Sequence, residues 1–458
     1  MPTYDTIIIG TGQSGPALAR RLVAAGRKVA IIERKLFGGT CVNTGCTPTK
    51  TLIASAYVAH VARRAGDYGV RIEGAVNIDI KAVKARKDAV VAGFRSGVER
   101  SLKTLQGCTV YEGHGRFVSE KKVAVNGSEL AADQIFINVG ARAAIPPIGG
   151  LDQIPYLTNS SMMDIDFLPA HLVILGGSYV GLEFAQAYRR FGSEVTVIEY
   201  GPRLIAREDQ DVSQAVAGFL KEEGIDVRVD SKMVDVERQG NAIAAKIESA
   251  GRISQIAGTH LLVATGRRPN TDDLGLDNAG IATDARGYIQ VDVQLRTNIS
   301  GIWAMGDCNG RGAFTHTSWN DFEIVAANLL DNDQRRVSDR ITAYALYTDP
   351  PLGRAGMTEA EVRKTGKPAL ISTMAMKDVM RAYERGETNG FMKILVDRDS
   401  KQILGASFLG LEGDEVIHCV LDIMYAKAPY TVIQRAMHIH PTVSEFIPTM
   451  MDKLKPLQ

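Results

Sequence analysis

Short β-branched runs alternate along this chain with stretches of helical period. Thr6 to Gly10 reads as a strand, Gly15 to Ala25 places apolar residues at helical spacing, and Lys28 to Glu33 reads as a strand again. A glycine turn joins the first strand to the helix. The unit returns later, with Leu172 to Leu175 as the strand, Gly176 to Gly181 as the turn, Leu182 to Phe191 as the helix and Glu194 to Glu199 as the second strand. Both copies keep one register, because Glu33 stands as far beyond Gly10 as Glu199 does beyond Gly176. The repeat predicts two α/β units of one kind.

Between the copies, residues 50–106 read as two long helices and residues 108–139 as short strands broken by Gly113, Gly115 and Gly127, together an insertion in the first unit. Pro146, Pro147, Gly149 and Gly150 supply turn chemistry where the chain crosses into the second unit, and Gly266-Arg267-Arg268-Pro269 marks a matching seam. Past the polar stretch 331–340, strands over 369–376, 391–396 and 403–409 and a helix over 414–426 predict a separate α+β domain. A chain of 458 residues has room for about three domains. They are expected at 1–149 with 271–340, at 150–270 and at 341–458.

Charge narrows the choice of partner. With 53 basic and 52 acidic residues and a formal charge of +1, the chain has no global field for nucleic acid or an anionic membrane, so a small-molecule partner is expected. Five cysteines are too few, and odd in number, for a secreted disulfide framework, which predicts a reducing compartment. The chain opens on Tyr4-Asp5-Thr6-Ile7, a strand running into a turn, with no room for a signal peptide. No run of about 18 apolar residues is present to span a bilayer. A soluble, cytoplasmic protein with no metal site is the expectation.

Gly10-x-Gly12-x-x-Gly15 follows a strand and opens a helix, the context in which this pattern cradles a pyrophosphate at a helix N-terminus. Glu33, ending the next strand, is placed to accept from a ribose diol. The second copy reads Gly176-Gly177-Ser178-Tyr179-Val180-Gly181, and its serine in the middle position is expected to cost some backbone freedom. Glu199 would repel a 2′-phosphate and favours NADH over NADPH, a preference that Arg203 and Arg207 blur. Both units are therefore read as Rossmann-like nucleotide-binding domains.

Cys41 and Cys46 sit between the first unit and the helices that follow it. On a regular helix, positions five apart have Cα atoms about 8–9 Å from each other, whereas a disulfide needs roughly 4.4–6.8 Å. The pair can close only if the backbone leaves the helix near Gly45. Pro48 suits a first helical turn and predicts a helix starting there, with Cys46 near its positive end, where a thiol ionises more readily. Two unpaired buried cysteines, or half of a metal site, are the competing readings, and the second lacks further ligands at suitable spacing.

Gly38-Gly39-Thr40-Cys41 through Gly45-Cys46-Thr47-Pro48-Thr49-Lys50, Thr297-Asn298 through Met305-Gly306-Asp307, and His438-Ile439-His440-Pro441-Thr442-Val443-Ser444-Glu445 together resemble the flavoprotein pyridine nucleotide-disulfide oxidoreductases. That family includes dihydrolipoamide dehydrogenase, glutathione reductase and mercuric reductase, and the resemblance spans essentially the whole chain. It implies FAD and NAD(P)H as cofactors and a C-terminal α+β domain that serves dimerisation. FAD would be held by Gly10, Gly12, Ser14, Gly15 and Glu33, with Thr40 and Lys50 along the flavin and its diphosphate, Gly115 and Gly140 near the nucleotide, and Asp307 on the ribitol. NAD(P)H would be held by Gly176, Ser178, Gly181, Glu199 and Gly266. Lys50 would stand beside Glu183 near the flavin, and Tyr179 would gate the nicotinamide. The resemblance makes Cys46 the thiol facing the flavin and Cys41 the thiol that meets substrate. It also implies a homodimer in which His440, oriented by Glu445, serves the cysteine pair of the other subunit as acid and base.

Thr442-x-x-Glu445 also fits a capping box, and Pro441 a helix start. His316 and His438 are read as structural or cofactor-adjacent, and Cys108, Cys308 and Cys419 as ordinary buried cysteines. Thr44, Thr47 and Thr49 make the flank of the pair more polar than dihydrolipoamide dehydrogenases usually have, and Pro351 replaces a glutamate that normally follows Pro350. Mercuric reductase proper is disfavoured, because no cysteine follows Cys419 and no appended metal-binding module is present. The expected acceptor is a small disulfide or a thiol-reactive metal ion or oxidant. A redox sensor without turnover is the alternative from another class.

Overall fold

The computed structural model describes residues 1–457. Strand Thr3–Ile9, whose last four residues are all buried, lies at the centre of the first sheet. It pairs in parallel with Val29–Glu33 on one side and Ser128–Ile137 on the other. A strand covered on both faces reads as a continuous apolar run, which is why Ile7, Ile8 and Ile9 do not alternate with polar residues. Cys108–Glu112 extends the parallel sheet beyond Val29–Glu33, and Ile302–Ala304 joins it in parallel alongside the last three residues of Ser128–Ile137. The expected insertion is thereby corrected: residues 108–112 are an edge of the parallel sheet, and only Arg116–Ser119 and Lys122–Val125 form an antiparallel attachment. Strand pattern alone does not distinguish the two, because pairing direction leaves no mark on a short apolar run. Helices Cys46–Arg63 and Ile80–Lys103 make the long connection from the second strand to that edge.

The second unit repeats the arrangement on a smaller scale. His171–Leu175, Glu194–Ile198, Asp226–Arg228 and His260–Val263 form a four-stranded parallel sheet. A three-stranded antiparallel sheet, residues 232–258, accompanies it. The two crossings between the units run side by side, since Ala141–Ala143 pairs antiparallel with Arg267–Pro269.

The C-terminal part is a six-stranded sheet with helix Gly413–Tyr425, close to the expected 414–426. Its apolar residues Leu346, Leu352 and Leu409 share one buried cluster with Leu52 and Ala56 of helix Cys46–Arg63 and with Leu182 and Phe184 of helix Tyr179–Phe191. The helix that carries Cys46 is therefore wedged between the second unit and the C-terminal sheet. Among the described residues, no helix is long and apolar enough to cross a membrane.

Candidate active site

Both glycine turns are built from the same contacts. Gly10 at φ +106° and Gly176 at φ +114° take a left-handed step, and a Cβ on them would lie 2.2 Å from the Asn138 carbonyl oxygen and 2.4 Å from that of Ala264. Gly15 and Gly181 lie against the carbonyls of Gly10 and Gly176, where a Cβ would approach to 2.3 and 2.1 Å, so each helix meets its strand only through a glycine. The two carboxylates close the turns: Glu33 Oε2 accepts from Thr11 N at 3.0 Å, and Glu199 Oε2 from Gly177 N at 2.7 Å. Ser178 is exposed and extended, at φ −110° and ψ −173°. The expected backbone cost of a serine there does not arise.

The first turn opens on a cavity of about 470 Å³, within the roughly 300–1,000 Å³ usual for small-molecule sites. Gly10, Gly12, Glu33, Thr40, Cys41, Cys46, Gly115, Gly140 and Asp307, all singled out in the sequence, line it. Its donors suit an extended anionic group: Arg267 Nε is buried without a partner, while its Nη2 lies 2.9 Å from Asp307 Oδ2. Burial pushes the Asp307 carboxyl above the usual range, with Arg267 opposing, so this carboxylate gains from a hydroxyl donor. These features fit FAD. Ser14 and Gly266 do not line the cavity; the Ser14 hydroxyl lies 2.6 Å from Ser318 Oγ and ties helix Ser14–Ala24 to helix Thr315–Leu330. Asn138, Arg267 and Thr315 do line it and were missed as site residues. Asn138 and Arg267 stand beside the glycines Gly140 and Gly266, the one local signal that could have drawn attention to them.

Helical geometry stops between the two cysteines, as their spacing requires. Cys41 lies in the short helix Gly39–Asn43, and Gly45, at φ −130° and ψ −116°, separates it from helix Cys46–Arg63. A Cβ on Gly45 would lie 2.9 Å from the Thr40 carbonyl oxygen. The second helix begins at Cys46 and not at Pro48, which falls within the first turn, where its missing N–H removes no bond. Both sulfurs are free thiols in this structure. The hydrogen bond from Cys41 brings the Cys46 thiol down to about 6 against the effect of burial, with Thr315 and the Lys50 charge acting in the same direction. That bond, and then burial, push Cys41 up. The pair is therefore asymmetric, with Cys46 the more acidic of the two thiols. Cys46 Sγ also lies 2.9 Å from Thr315 Oγ1. At Cys108 and Cys308 burial prevails, pushing them up to about 11 and about 12. Cys308 is buried as expected, whereas Cys108 and Cys419 are half-buried.

One helix runs from the second nucleotide turn to the helix that carries Cys46. Helix Tyr179–Phe191 starts at Ser178 and carries Glu183, whose oxygens lie 2.7 and 2.9 Å from Lys50 Nζ. Tyr179 stands edge-on to Phe314 and Tyr344, with ring centroids 6.0 and 5.5 Å away. Phe314 lines the cavity, so Tyr179 backs its wall. An exposed serine in the turn, a carboxylate on the turn amide and a buried Tyr179 hydroxyl without a partner fit a dinucleotide that comes and goes.

His440 and Glu445 are brought to each other and not to the cavity. His440 Nδ1 lies 2.9 Å from Glu445 Oε2, and the ring is 72% exposed. Its neighbours Met437 and Ile439 are 99% and 79% exposed. Thr442 N donates to Glu445 Oε1 at 3.2 Å and Glu445 N to Thr442 Oγ1 at 3.3 Å, so the reciprocal bonds of a capping box coexist with the histidine contact. The helix itself starts at Phe446, which corrects the expected start at Pro441. His316 Nε2 lies 2.7 Å from the Ala343 carbonyl oxygen, a contact from its helix to the C-terminal sheet, and His438 Nδ1 lies 3.0 Å from the carbonyl oxygen of Ala436, a local contact.

Comparison with known proteins gives consistent matches. Residues 4–321 match the family described as pyridine nucleotide-disulphide oxidoreductase, and residues 342–451 match its dimerisation domain. The chain is 35% identical to a probable pyridine nucleotide-disulfide oxidoreductase, RclA, of Escherichia coli (strain K12), over 99% of this chain and 100% of that one. It is 34% identical to a mercuric reductase of Streptomyces lividans, over 96% of this chain and 94% of the other. A solved structure, the Cu(II) complex of HOCl-induced flavoprotein disulfide reductase RclA from Escherichia coli, is similar with a TM-score of 0.89 at 34% identity, covering 98% of this chain and 99% of that one.

Proposed function

Because the chain belongs to the pyridine nucleotide-disulphide oxidoreductases, an FAD-dependent family that oxidises NAD(P)H, we propose that Cys41 and Cys46 are its working redox pair and that they reduce a small disulfide or another thiol-reactive acceptor. The observation that carries this is the asymmetry of the pair, with Cys46 brought down to about 6 and Cys41 pushed up, on the wall of a cavity that fits FAD. Bound FAD supplies the two-electron link between NAD(P)H and the cysteines.

Cys41, as thiolate, attacks one sulfur of the acceptor disulfide, forming a mixed disulfide and expelling the other sulfur as a thiolate. Cys46 then attacks the Cys41 sulfur, closes the Cys41–Cys46 disulfide and releases the second thiolate; two electrons pass from the pair to the acceptor. His440 of the partner subunit takes the Cys41 proton and returns it to the leaving thiolate, while Glu445 orients the ring and stabilises its charged form. The dimerisation-domain match and the exposure of Met437, Ile439 and His440 support this homodimer. Glu199 favours NADH. We assign residues 1–149 with 271–340 to the FAD domain, 150–270 to the NAD(P)H domain and 341–458 to the interface domain, on the sheets that fill each. A metal-ion acceptor such as Cu(II) or Hg(II) is the second reading, favoured by the Cu(II) complex of the similar flavoprotein and by the mercuric reductase relative.

The two half-reactions separate these roles. Cys41→Ser is expected to keep NADH-driven flavin reduction and to lose disulfide turnover by about 10³-fold or more. His440→Ala is expected to slow the dithiol half-reaction about 10²- to 10⁴-fold with much less effect on flavin reduction. Equal losses in both halves for either variant would refute the assignment. A panel of lipoamide, glutathione disulfide, Cu(II) and Hg(II) on the parent enzyme distinguishes the acceptors.

A further inference from the structure

Strand Ala343–Leu346 of the C-terminal sheet ends beside the Lys50–Glu183 pair, and the residues that follow it are stitched to helix Tyr179–Phe191. Tyr347 N donates to Glu183 Oε1 at 3.2 Å and Asp349 N to Gln186 Oε1 at 2.8 Å, while Gln186 Nε2 donates back to the Asp349 carbonyl at 2.8 Å. Glu183 and Gln186 stand three residues apart, so one face of the helix serves both amides. Leu346, fully buried in the cluster it shares with Leu52, Ala56, Leu182 and Phe184, anchors the segment from its other end. The position of Tyr347 is therefore fixed by its backbone and its neighbours, whatever its own side chain.

What the side chain adds is a cover for Lys50. The Lys50 Nζ lies 4.3 Å from the centroid of the Tyr347 ring, as well as 2.7 and 2.9 Å from the Glu183 oxygens. An aromatic face attracts a cation, and the more so when it shields that cation from water. Glu183 is buried, whereas the lysine stem is partly open to solvent, so the ring restrains the member of the pair that could otherwise swing outward. Lys50 follows Cys46 by one turn of the same helix. Positions four apart share a helix face, with Cβ atoms about 5–6 Å from each other. A held ammonium at Lys50 thus stands near the Cys46 sulfur, and its charge works with the Cys41 and Thr315 hydrogen bonds on that thiol. Asp414 and Glu415, at the start of helix Gly413–Tyr425, act on the Tyr347 ring as further negative charges, so Lys50 supplies positive charge among acids.

We propose that Tyr347 is a positioning residue for the cysteine pair: its ring holds the Lys50 ammonium beside Glu183, one helical turn from Cys46, and so keeps the Cys46 thiol ionised at neutral pH. This rests on the reading of Cys46 as the more acidic thiol of a working redox pair. The C-terminal sheet thereby reaches the chemistry of the first unit within one subunit, through a residue that lines neither the cavity nor the second nucleotide turn.

The test is a pH titration of the thiolate absorbance of the reduced, FAD-loaded enzyme. Tyr347 is 37% exposed, and its backbone bond to Glu183 survives any substitution except proline, so the variants change the ring alone. Tyr347→Leu, which keeps an apolar side chain without an aromatic face, is expected to raise the midpoint by about 0.5 unit, a loss of about threefold in the ionisation constant. Tyr347→Phe keeps the face and is expected to stay within about 0.2 unit of the parent. In a Lys50→Gln background Tyr347→Leu is expected to add no further shift, because the charge it positions is gone. Should Tyr347→Leu not load FAD, Tyr347→Gln is read in its place with the same expectation. A midpoint unmoved in Tyr347→Leu, an equal shift in Tyr347→Phe, or an undiminished shift in the Lys50→Gln background overturns the positioning role. Thiolate absorbance that persists in Cys46→Ser overturns the reading of Cys46 itself, and this proposal with it.

Discussion

At Gly10 and at Gly176 the chain makes the same turn, with the same closing carboxylate and the same glycine between strand and helix, yet the surroundings differ. The first turn is roofed: a Cβ on Gly39 would lie 2.8 Å from the Gly12 Cα, Asn138 Nδ2 donates to the Gly12 carbonyl at 3.2 Å, and helix Thr315–Leu330 completes the wall. At the second turn Ser178 stands in solvent, with Val180 and Tyr200 exposed beside it. Enclosure suits a group that is held, and openness one that exchanges. On the proposed assignment of FAD to the first turn and NAD(P)H to the second, two copies of one local pattern serve differently because of what the rest of the chain packs over them.

The largest effect that could break this contrast comes from alanine at the left-handed glycines. Gly10→Ala drives a Cβ against the Asn138 carbonyl and Gly176→Ala against that of Ala264, each at a strain of about 3 kcal/mol. Gly10→Ala is expected to purify with little flavin. Gly176→Ala is expected to keep its flavin absorbance and to lose about 10²-fold in NADH-driven reduction, the rate equivalent of that strain. If Gly176→Ala loses flavin as completely as Gly10→Ala, the two turns are not used differently.

A smaller effect sharpens what the enclosed side does to the cysteines. With Cys46 down at about 6, the reduced enzyme should show thiolate absorbance that persists at neutral pH and disappears as pH falls through about 6. Cys46→Ser should abolish it. Thr315→Val removes the hydroxyl 2.9 Å from the sulfur and is expected to raise the midpoint by about one unit, since a hydrogen bond to an ion is worth about that much. An unmoved midpoint would show that Thr315 packs against Cys46 without donating to it.

The smallest expected effect lies at the open turn. Glu199→Gln removes the charge and keeps an acceptor oxygen for the Gly177 amide while giving up the one that serves the Gly201 amide, so NADPH should gain about 5-fold in kcat/KM relative to NADH. Equal change for both nucleotides would mean that Glu199 holds the turn without discriminating.

The local pattern by itself determined both glycine turns, their strands and helices and the break at Gly45, because each follows from neighbours within a few residues: a left-handed φ, a Cβ that cannot fit, a period of two or of 3.6. Its reading of residues 108–112 as part of an insertion failed, since pairing direction is a matter of which distant strand lies alongside. Only the tertiary structure decided the rest. Thr315 reaches Cys46 across 269 residues of sequence, and Glu208 meets Tyr344 across 136. Such contacts carry no periodicity, and one threonine among many gives no local sign that it will face a thiolate. Cys41 and Cys46 could be recognised as a pair, and Cys46 as the more readily ionised by its place at a helix start, but the Cys41 bond, the Thr315 hydroxyl and the Lys50 charge that bring it down against burial are assembled only by the folded chain.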